Sequence, residues 1–202
     1  MIIGLAQKQT GVHKTTITLH LATVAATKGR TVVIDDDEGE DNNRAVMSLL
    51  SRSQRGNYGF DVLSGRDTNI KDVVGKYDNI LIDTEGRLSD EKIRQLARTN
   101  CIIIPTTAAE NALDAAGDTI QHCADVYKVL FVGMESAAQH RRLHHEFHRR
   151  HHRSVFNTYI PHSETLADLM SKGYTAFDDY MSNQAVAEAY RAVFAELESE
   201  LE

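Results

Sequence analysis

Seven short apolar runs, rich in β-branched residues, punctuate the sequence at Ile2–Ala6, Thr31–Asp35, Phe60–Leu63, Asn79–Asp83, Cys101–Pro105, Val129–Gly133 and Val155–Ile160. Stretches such as Val32-Val33-Ile34 and Ile102-Ile103-Ile104 leave no alternate position polar, so they read as strands covered on both faces. Between them, Thr15–Lys28, Asp41–Arg52, Thr68–Tyr77, Ser89–Thr99, Ala109–Tyr127, Ala137–His152, Ser163–Lys172 and Ser182–Leu201 carry apolar residues at helical spacing. Strand and helix alternate throughout. That order predicts an α/β fold with a doubly wound, largely parallel sheet and helices on both faces. In such folds ligands bind beyond the carboxyl ends of the strands.

The chain of 202 residues has only two prolines and no Ser/Gly-rich linker, so a single domain over 1–202 is expected. Its longest apolar stretches fall far short of the roughly 18 residues a membrane-spanning helix needs. No basic region precedes the first apolar residues, which run directly into Gln7-Lys8-Gln9, and a cytoplasmic location is therefore expected. Cys101 and Cys123 have neither CxxC nor histidine-spaced partners and are expected as buried thiols, Cys123 within a helix.

The first strand leads through Gln7-Lys-Gln-Thr-Gly-Val-His-Lys-Thr-Thr16 into a helix carrying Ile17, Leu21 and Val24. This is the setting of a phosphate-binding loop, in which backbone N–H groups and a helix N-terminus cradle phosphates. A lysine reaches the outer oxygens and the next Ser/Thr hydroxyl ligates magnesium. Lys14 and Thr15 suit those roles, although Lys8 and His13 stand where the formal GxxxxGK[ST] pattern has glycines. A strand-to-helix turn without a ligand is the competing reading of the loop alone. Two more strands end in carboxylates, Thr31-Val-Val-Ile-Asp-Asp-Asp37 and Asn79-Ile-Leu-Ile-Asp-Thr84. Joined to a Lys-Thr-Thr helix start, such endings are an arrangement for holding a magnesium nucleotide.

On these residues the sequence resembles the ParA/MinD-type deviant Walker ATPases, above all the small ParA-like partition proteins. The family's Lys-Gly-Gly-Val-Gly-Lys-Thr-Thr loop aligns with Gln9-Thr10-Gly11-Val12-His13-Lys14-Thr15-Thr16. Its Asp-x-Asp-Pro-Gln-Gly segment resembles Asp35-Asp36-Asp37-Glu38-Gly39-Glu40. Its Walker B strand is similar to Tyr77-Asp78-Asn79-Ile80-Leu81-Ile82-Asp83-Thr84-Glu85. Cys101-Ile-Ile-Ile-Pro-Thr106 and Thr158-Tyr-Ile-Pro161 resemble two later strands, the second preceding the base-binding loop.

The resemblance implies ATP and Mg2+ as cofactors, with Gly11, Val12, His13, Lys14, Thr15, Thr16 and Pro161 around the nucleotide. It places Thr15, Asp35 and Asp83 at the metal, and Asp37, Lys14 and Lys8 in catalysis, Asp37 positioning the attacking water. It also implies a nucleotide-linked homodimer, non-specific DNA, and a ParB-like or cargo adaptor as partners, for a protein that segregates or positions a plasmid or other cargo at the nucleoid. The loop departs from the family at three places. Gln9 occupies the position of the lysine that reaches the partner's phosphates in the family's dimer, with Lys8 one residue out of register. Thr10 and His13 replace glycines. Histidine enters the left-handed region more readily than most residues, so His13 still permits the turn, and an imidazolium there could donate to phosphate. A fold of this type with a vestigial nucleotide pocket, acting as a non-catalytic DNA-binding or scaffold protein, is the alternative function.

The segment Gln139–Arg153 holds five arginines, one glutamate and six of the ten histidines. Its formal charge of +4 leaves −11 for the remainder of a chain whose total is −7, an asymmetry that points to a polyanion. Leu143 and Phe147 give this helix a narrow apolar edge, and Arg141, Arg142, Arg149, Arg150 and Arg153 are the candidate DNA contacts. Histidine pairs at i,i+4, His144/His148 and His148/His152, could chelate zinc or nickel, and a partnerless surface helix is the third reading. Ser89 with Asp90 and Glu91 reads as a helix cap. The acidic Glu196–Glu202 end is unlike a basic membrane-binding helix, so no membrane partner is expected.

Overall fold

A computed structural model of the protein describes residues 1–36, 45–52, 58–86, 88–151 and 154–201. Its elements follow the order β1 (Ile2–Leu5), α1 (Lys14–Ala26), β2 (Thr31–Asp36), α2 (Ala45–Arg52), β3 (Asp61–Ser64), α3 (Ile70–Val73), β4 (Asn79–Thr84), α4 (Asp90–Leu96), β5 (Cys101–Thr106), α5 (Glu110–Ile120), β6 (Tyr127–Met134), α6 (Ala137–His151), β7 (Ile160–Pro161), α7 (Leu166–Ser171) and α8 (Tyr180–Leu201). The described strands form one parallel sheet in the order β3-β2-β4-β1-β5-β6-β7.

Alternate residues of the uniformly apolar strands serve opposite faces. Val33, Leu81 and Ile103 pack with Ile17 and Leu21 of α1, Val46 of α2, Met170 of α7 and Val193 of α8. Val32, Ile34, Ile80, Ile82, Ile102 and Ile104 pack with Val73 of α3, Ile93 of α4, Ala116 of α5 and Leu143 and Phe147 of α6. With both faces covered, the period of two is invisible in a sequence where both alternates are apolar. From β1 the chain runs to one edge through β2 and β3, returns with β4 beside β1, and crosses to β5 and the other edge. That reversal leaves a crevice at the carboxyl end of β1.

Several expected elements are shorter or displaced. The seventh strand, expected at Val155–Ile160, is confined to Ile160–Pro161, and Val155 makes only an isolated bridge to Val129. The reason is competition from a side chain, because the N–H groups of Asn157 and Thr158 donate to the Glu196 carboxylate at 2.9 and 2.8 Å. The helix expected over Thr68–Tyr77 is a single turn, capped by Asn69 and stopped before Gly75 at φ 87°. The helix expected over Ala109–Tyr127 ends at Ile120, since Val126 and Tyr127 are drawn into the sheet beside β5. Cys123 thus sits in the following turn, half-buried, while Cys101 is buried. The helix expected over Ser163–Lys172 narrows to Leu166–Ser171, and α8 begins at Tyr180 and kinks at Asn183 (φ −127°, ψ 24°). Residues 41–44 of the expected Asp41–Arg52 helix and His152 of the Ala137–His152 helix lie outside the described residues.

Candidate functional site

The loop from β1 to α1 is held from beneath by its first residue. Gln7 is fully buried, and its amide donates to the carbonyls of Pro105 and Ala112 at 3.2 and 3.4 Å while its oxygen accepts from Thr119 Oγ1 at 3.0 Å. Val12 is buried as a second anchor. Two residues adopt left-handed backbone, Gly11 at φ 75° and His13 at φ 65°, ψ 26°. His13 is the only non-glycine of the described residues with positive φ, and it stands directly before the first turn of α1. The imidazole thus occupies the turn that a glycine makes most easily, at a modest conformational cost.

The loop, with Thr84 at the end of β4 and Gly86 beyond it, lines a cavity of about 440 Å3. A Cβ added to Gly86 would lie 2.6 Å from the Thr10 methyl, so the chain leaving β4 approaches the loop as closely as only glycine allows. Lys14 is buried against the loop, its Nζ 3.4 Å from the Gln7 carbonyl. Asp83, wholly buried at the end of β4, accepts from Thr15 Oγ1 at 2.7 Å and Thr18 Oγ1 at 2.9 Å. Burial drives its carboxyl up to about 7, against the pull of the two hydroxyls and of Lys14, with Asp35 adding to the rise. Asp35 stands opposite Asp83 in the β2–β4 register, also buried, and accepts the Met47 N–H at 2.9 Å, tying α2 to the strand end. Asp36 pairs with Lys92. Asp37 lies outside the described residues.

A second cavity of about 300 Å3 adjoins the first, with His13 and Thr16 in both walls. Its far side is Pro161, His162, Leu166, Met170 and Tyr190, an apolar surface with polar residues at the rim. His13 is held below the usual histidine range by desolvation and by His162. Ser163 Oγ donates to the Asn183 side-chain oxygen at 2.7 Å, fixing this rim to the kink of α8.

Sequence reasoning missed the residue that joins the two halves of the cleft. His20 is fully buried, and its Nε2 accepts the Ala176 N–H at 2.9 Å. The proton is therefore on Nδ1, which donates to the Thr16 carbonyl at 2.7 Å. The ring stacks on Tyr190 at 4.4 Å, and burial lowers its pKa to about 4. Nothing in the spacing of α1 distinguishes His20 from the apolar positions beside it.

Lys8 turns away from this cleft. Its Nζ lies 2.8 Å from Asp118 of α5 and 2.7 Å from Asp90 of α4, pairs that raise the lysine pKa and lower that of Asp90. Gln9, at the resembled family's lysine position, has a buried amide oxygen without a hydrogen-bond partner among the described residues.

On α6, Arg141, Arg142, Arg149 and Arg150 are exposed, while Leu143 and Phe147 are buried beneath them. Arg150 pairs with Glu146 at 2.7 Å. Arg153 lies outside the described residues. His140 is buried between Phe131 and Tyr159, and His144 follows it along the helix, with both pKa values lowered, chiefly by desolvation. Among the described residues no three of His, Cys, Asp and Glu gather as a metal site.

No family model matches the chain, and no curated protein matches it in sequence. Solved structures do. The chain is similar to the cell division protein MinD of Aquifex aeolicus, at 16% identity over 96% of each chain with a TM-score of 0.73. It is similar to the septum site-determining protein MinD of Pyrococcus horikoshii complexed with Mg-ADP, at 17% identity over 97% of this chain and 95% of that one, TM-score 0.68. A plasmid partition protein from Borrelia burgdorferi matches at 15% identity over 98% of each chain, TM-score 0.66. The fold is that of these MinD- and partition-type proteins.

Proposed function

We propose that the chain is a ParA-like ATPase that binds magnesium ATP at the β1–α1 loop. The observation that carries this reading is the meeting of two distant sequence segments at the carboxyl end of β1, where Lys14 and Thr15 line the loop cavity and Asp83, at the end of β4, holds the Thr15 hydroxyl. The residues fit the absent group. A hydroxyl and a buried carboxylate 2.7 Å apart make a hard-oxygen set suited to magnesium, and a side chain at Gly86 would crowd Thr10 at the mouth of the loop. When bound, the metal ion would neutralise charge developing on the phosphates.

The chain's own residues have separable tasks. Lys14 turns from the Gln7 carbonyl to the β and γ oxygens, Thr15 and Asp83 hold the metal with Asp35 behind them, and Gly11, Val12, His13 and Thr16 surround the phosphates. Pro161 covers the base in the adjoining cavity. Asp37 holds the attacking water. Water adds to the γ-phosphorus as the bond to the β–γ bridging oxygen breaks, releasing ADP and phosphate. The exposed arginines Arg141, Arg142, Arg149 and Arg150, with Arg153, meet DNA phosphates without reading sequence, and the nucleotide-bound form pairs with a second copy and with a cargo adaptor at the nucleoid. No described helix is long and apolar enough to cross a membrane.

One observation favours a second reading, a scaffold of the same fold that does not turn over. Gln9 stands at the catalytic lysine position and Lys8 is engaged by Asp90 and Asp118. Phosphate release at saturating magnesium ATP separates the two. The ATPase reading expects slow turnover that Lys14→Ala abolishes, and release no faster than without protein would favour the scaffold.

A further inference from the structure

His20 has no task in holding phosphate or metal, yet it is fully buried behind the second cavity and touches both of its walls. On one side the ring donates through Nδ1 to the carbonyl of Thr16, which lines that cavity from α1. On the other it stacks on Tyr190 of α8, which also lines the cavity, with the ring planes 18° apart. Phe177 lies against it with the ring centroids 6.0 Å apart.

The bond that distinguishes His20 is the one from its far nitrogen. Nε2 accepts the N–H of Ala176, 156 residues along the chain, at 2.9 Å, and Ala176 is itself fully buried. Ala176 belongs to the connection between α7 and α8, and α7 supplies Leu166, Ala167 and Met170 to the cavity. That connection is shaped to present the N–H. Thr175 donates its own N–H and its hydroxyl to the Asp178 carboxylate at 2.7 and 2.9 Å, and Tyr58 donates to the Gly173 carbonyl at 2.6 Å. A buried N–H left without an acceptor costs more than the bond itself contributes, so the connection keeps its place only while an acceptor stands at position 20.

The phosphate loop is held by other atoms. Gln7 anchors it to Pro105, Ala112 and Thr119, and Asp83 fastens Thr15 and Thr18. Loss of the His20–Ala176 bond therefore reaches the second cavity and leaves the first in place.

We propose that His20 is a positioning residue for the nucleobase: through Nε2 it holds the α7 wall of the second cavity against α1, and so sets the width of the space the base enters, without touching the nucleotide. The inference rests on the reading of the cleft as a nucleotide site and gives the base a hold separate from that of the phosphates.

Two substitutions divide the bonds of the ring. A glutamine amide reaches as far as Nε2 and can accept from Ala176, whereas an asparagine amide reaches only as far as Nδ1 and keeps the Thr16 bond alone. Calorimetric titration of the full chain with ADP and with inorganic pyrophosphate, both with magnesium, separates base from phosphate, since pyrophosphate brings the phosphate pair and no base. The wild type should bind ADP more tightly than pyrophosphate. His20→Leu and His20→Asn should weaken ADP binding by about tenfold, the effect of one buried hydrogen bond, and leave pyrophosphate binding unchanged. His20→Gln should stay within about threefold of the wild type for both ligands. Circular dichroism checks folding, and if His20→Leu does not fold, the asparagine and glutamine variants carry the comparison. A merely structural role would lower the folded fraction and weaken both ligands alike. Equal weakening of ADP and pyrophosphate, unchanged ADP binding in His20→Asn, or a glutamine variant as weak as the asparagine one would overturn the proposal. Pyrophosphate binding as tight as ADP in the wild type would also overturn it, with the phosphate site left standing. A wild type that binds neither ligand would sink the ATPase reading, and this inference with it.

Discussion

Asp83 is a buried and strongly perturbed carboxylate in the cleft, and its cost to the metal-free protein can be measured. Its carboxyl titrates at about 7 in the fold against an ordinary value of 3.8, with burial as the cause. A folded pKa above the unfolded one means that the stabilising contribution is complete below pH 3.8 and is lost as pH rises through 7. At about 1.4 kcal/mol per unit, the difference of roughly 3 units amounts to about 4 kcal/mol at pH 8, of which about 2 kcal/mol falls between pH 5.5 and 8. Asp83→Asn removes the titration but disturbs the hydrogen bonds from Thr15 and Thr18, at about 1 kcal/mol each. The variant should therefore be about 2 kcal/mol more stable than the wild type at pH 8 and no more stable at pH 5.5. Urea unfolding at both pH values in EDTA measures this. Comparing wild type with variant at each pH cancels the histidines, whose lowered pKa values act with the opposite sign. Equal pH dependence in the two proteins would refute the argument.

His20 has the reverse linkage. Its pKa of about 4 lies below the ordinary 6.5, so its contribution is complete above pH 6.5 and is lost as pH falls through 4; His20→Leu, which cannot bond Thr16 or Ala176, should melt lower at pH 7 and show a shallower acid loss of Tm. Lys14→Ala should leave the circular-dichroism spectrum of the nucleotide-free protein unchanged while abolishing phosphate release. Arg149→Ala/Arg150→Ala should weaken two unrelated DNA duplexes alike and flatten the salt slope by about 0.9 for each phosphate no longer neutralised, seen by anisotropy across several salt concentrations; weakening confined to one duplex would contradict a phosphate-only interface.

The strands and their carboxylate ends were legible because each is a local signal: a β-branched run closed by Asp35 or Asp83 marks a strand end whatever surrounds it. The left-handed turn at His13 was permitted by the sequence and not dictated by it, since histidine tolerates that region without requiring it. The Glu196 carboxylate that shortens β7, the Asp90 and Asp118 partners of Lys8, and the His20–Ala176 bond were not, because each depends on a residue brought from far along the chain.

Whether Lys14, Thr15 and Asp83 form a magnesium-nucleotide site despite Gln9, Thr10 and His13 in the loop is decided by calorimetric titration of ATP and ADP into the wild type with and without magnesium. Both nucleotides should bind, tighter with magnesium, one per chain. Absence of heat and of competition with either nucleotide would contradict such a site.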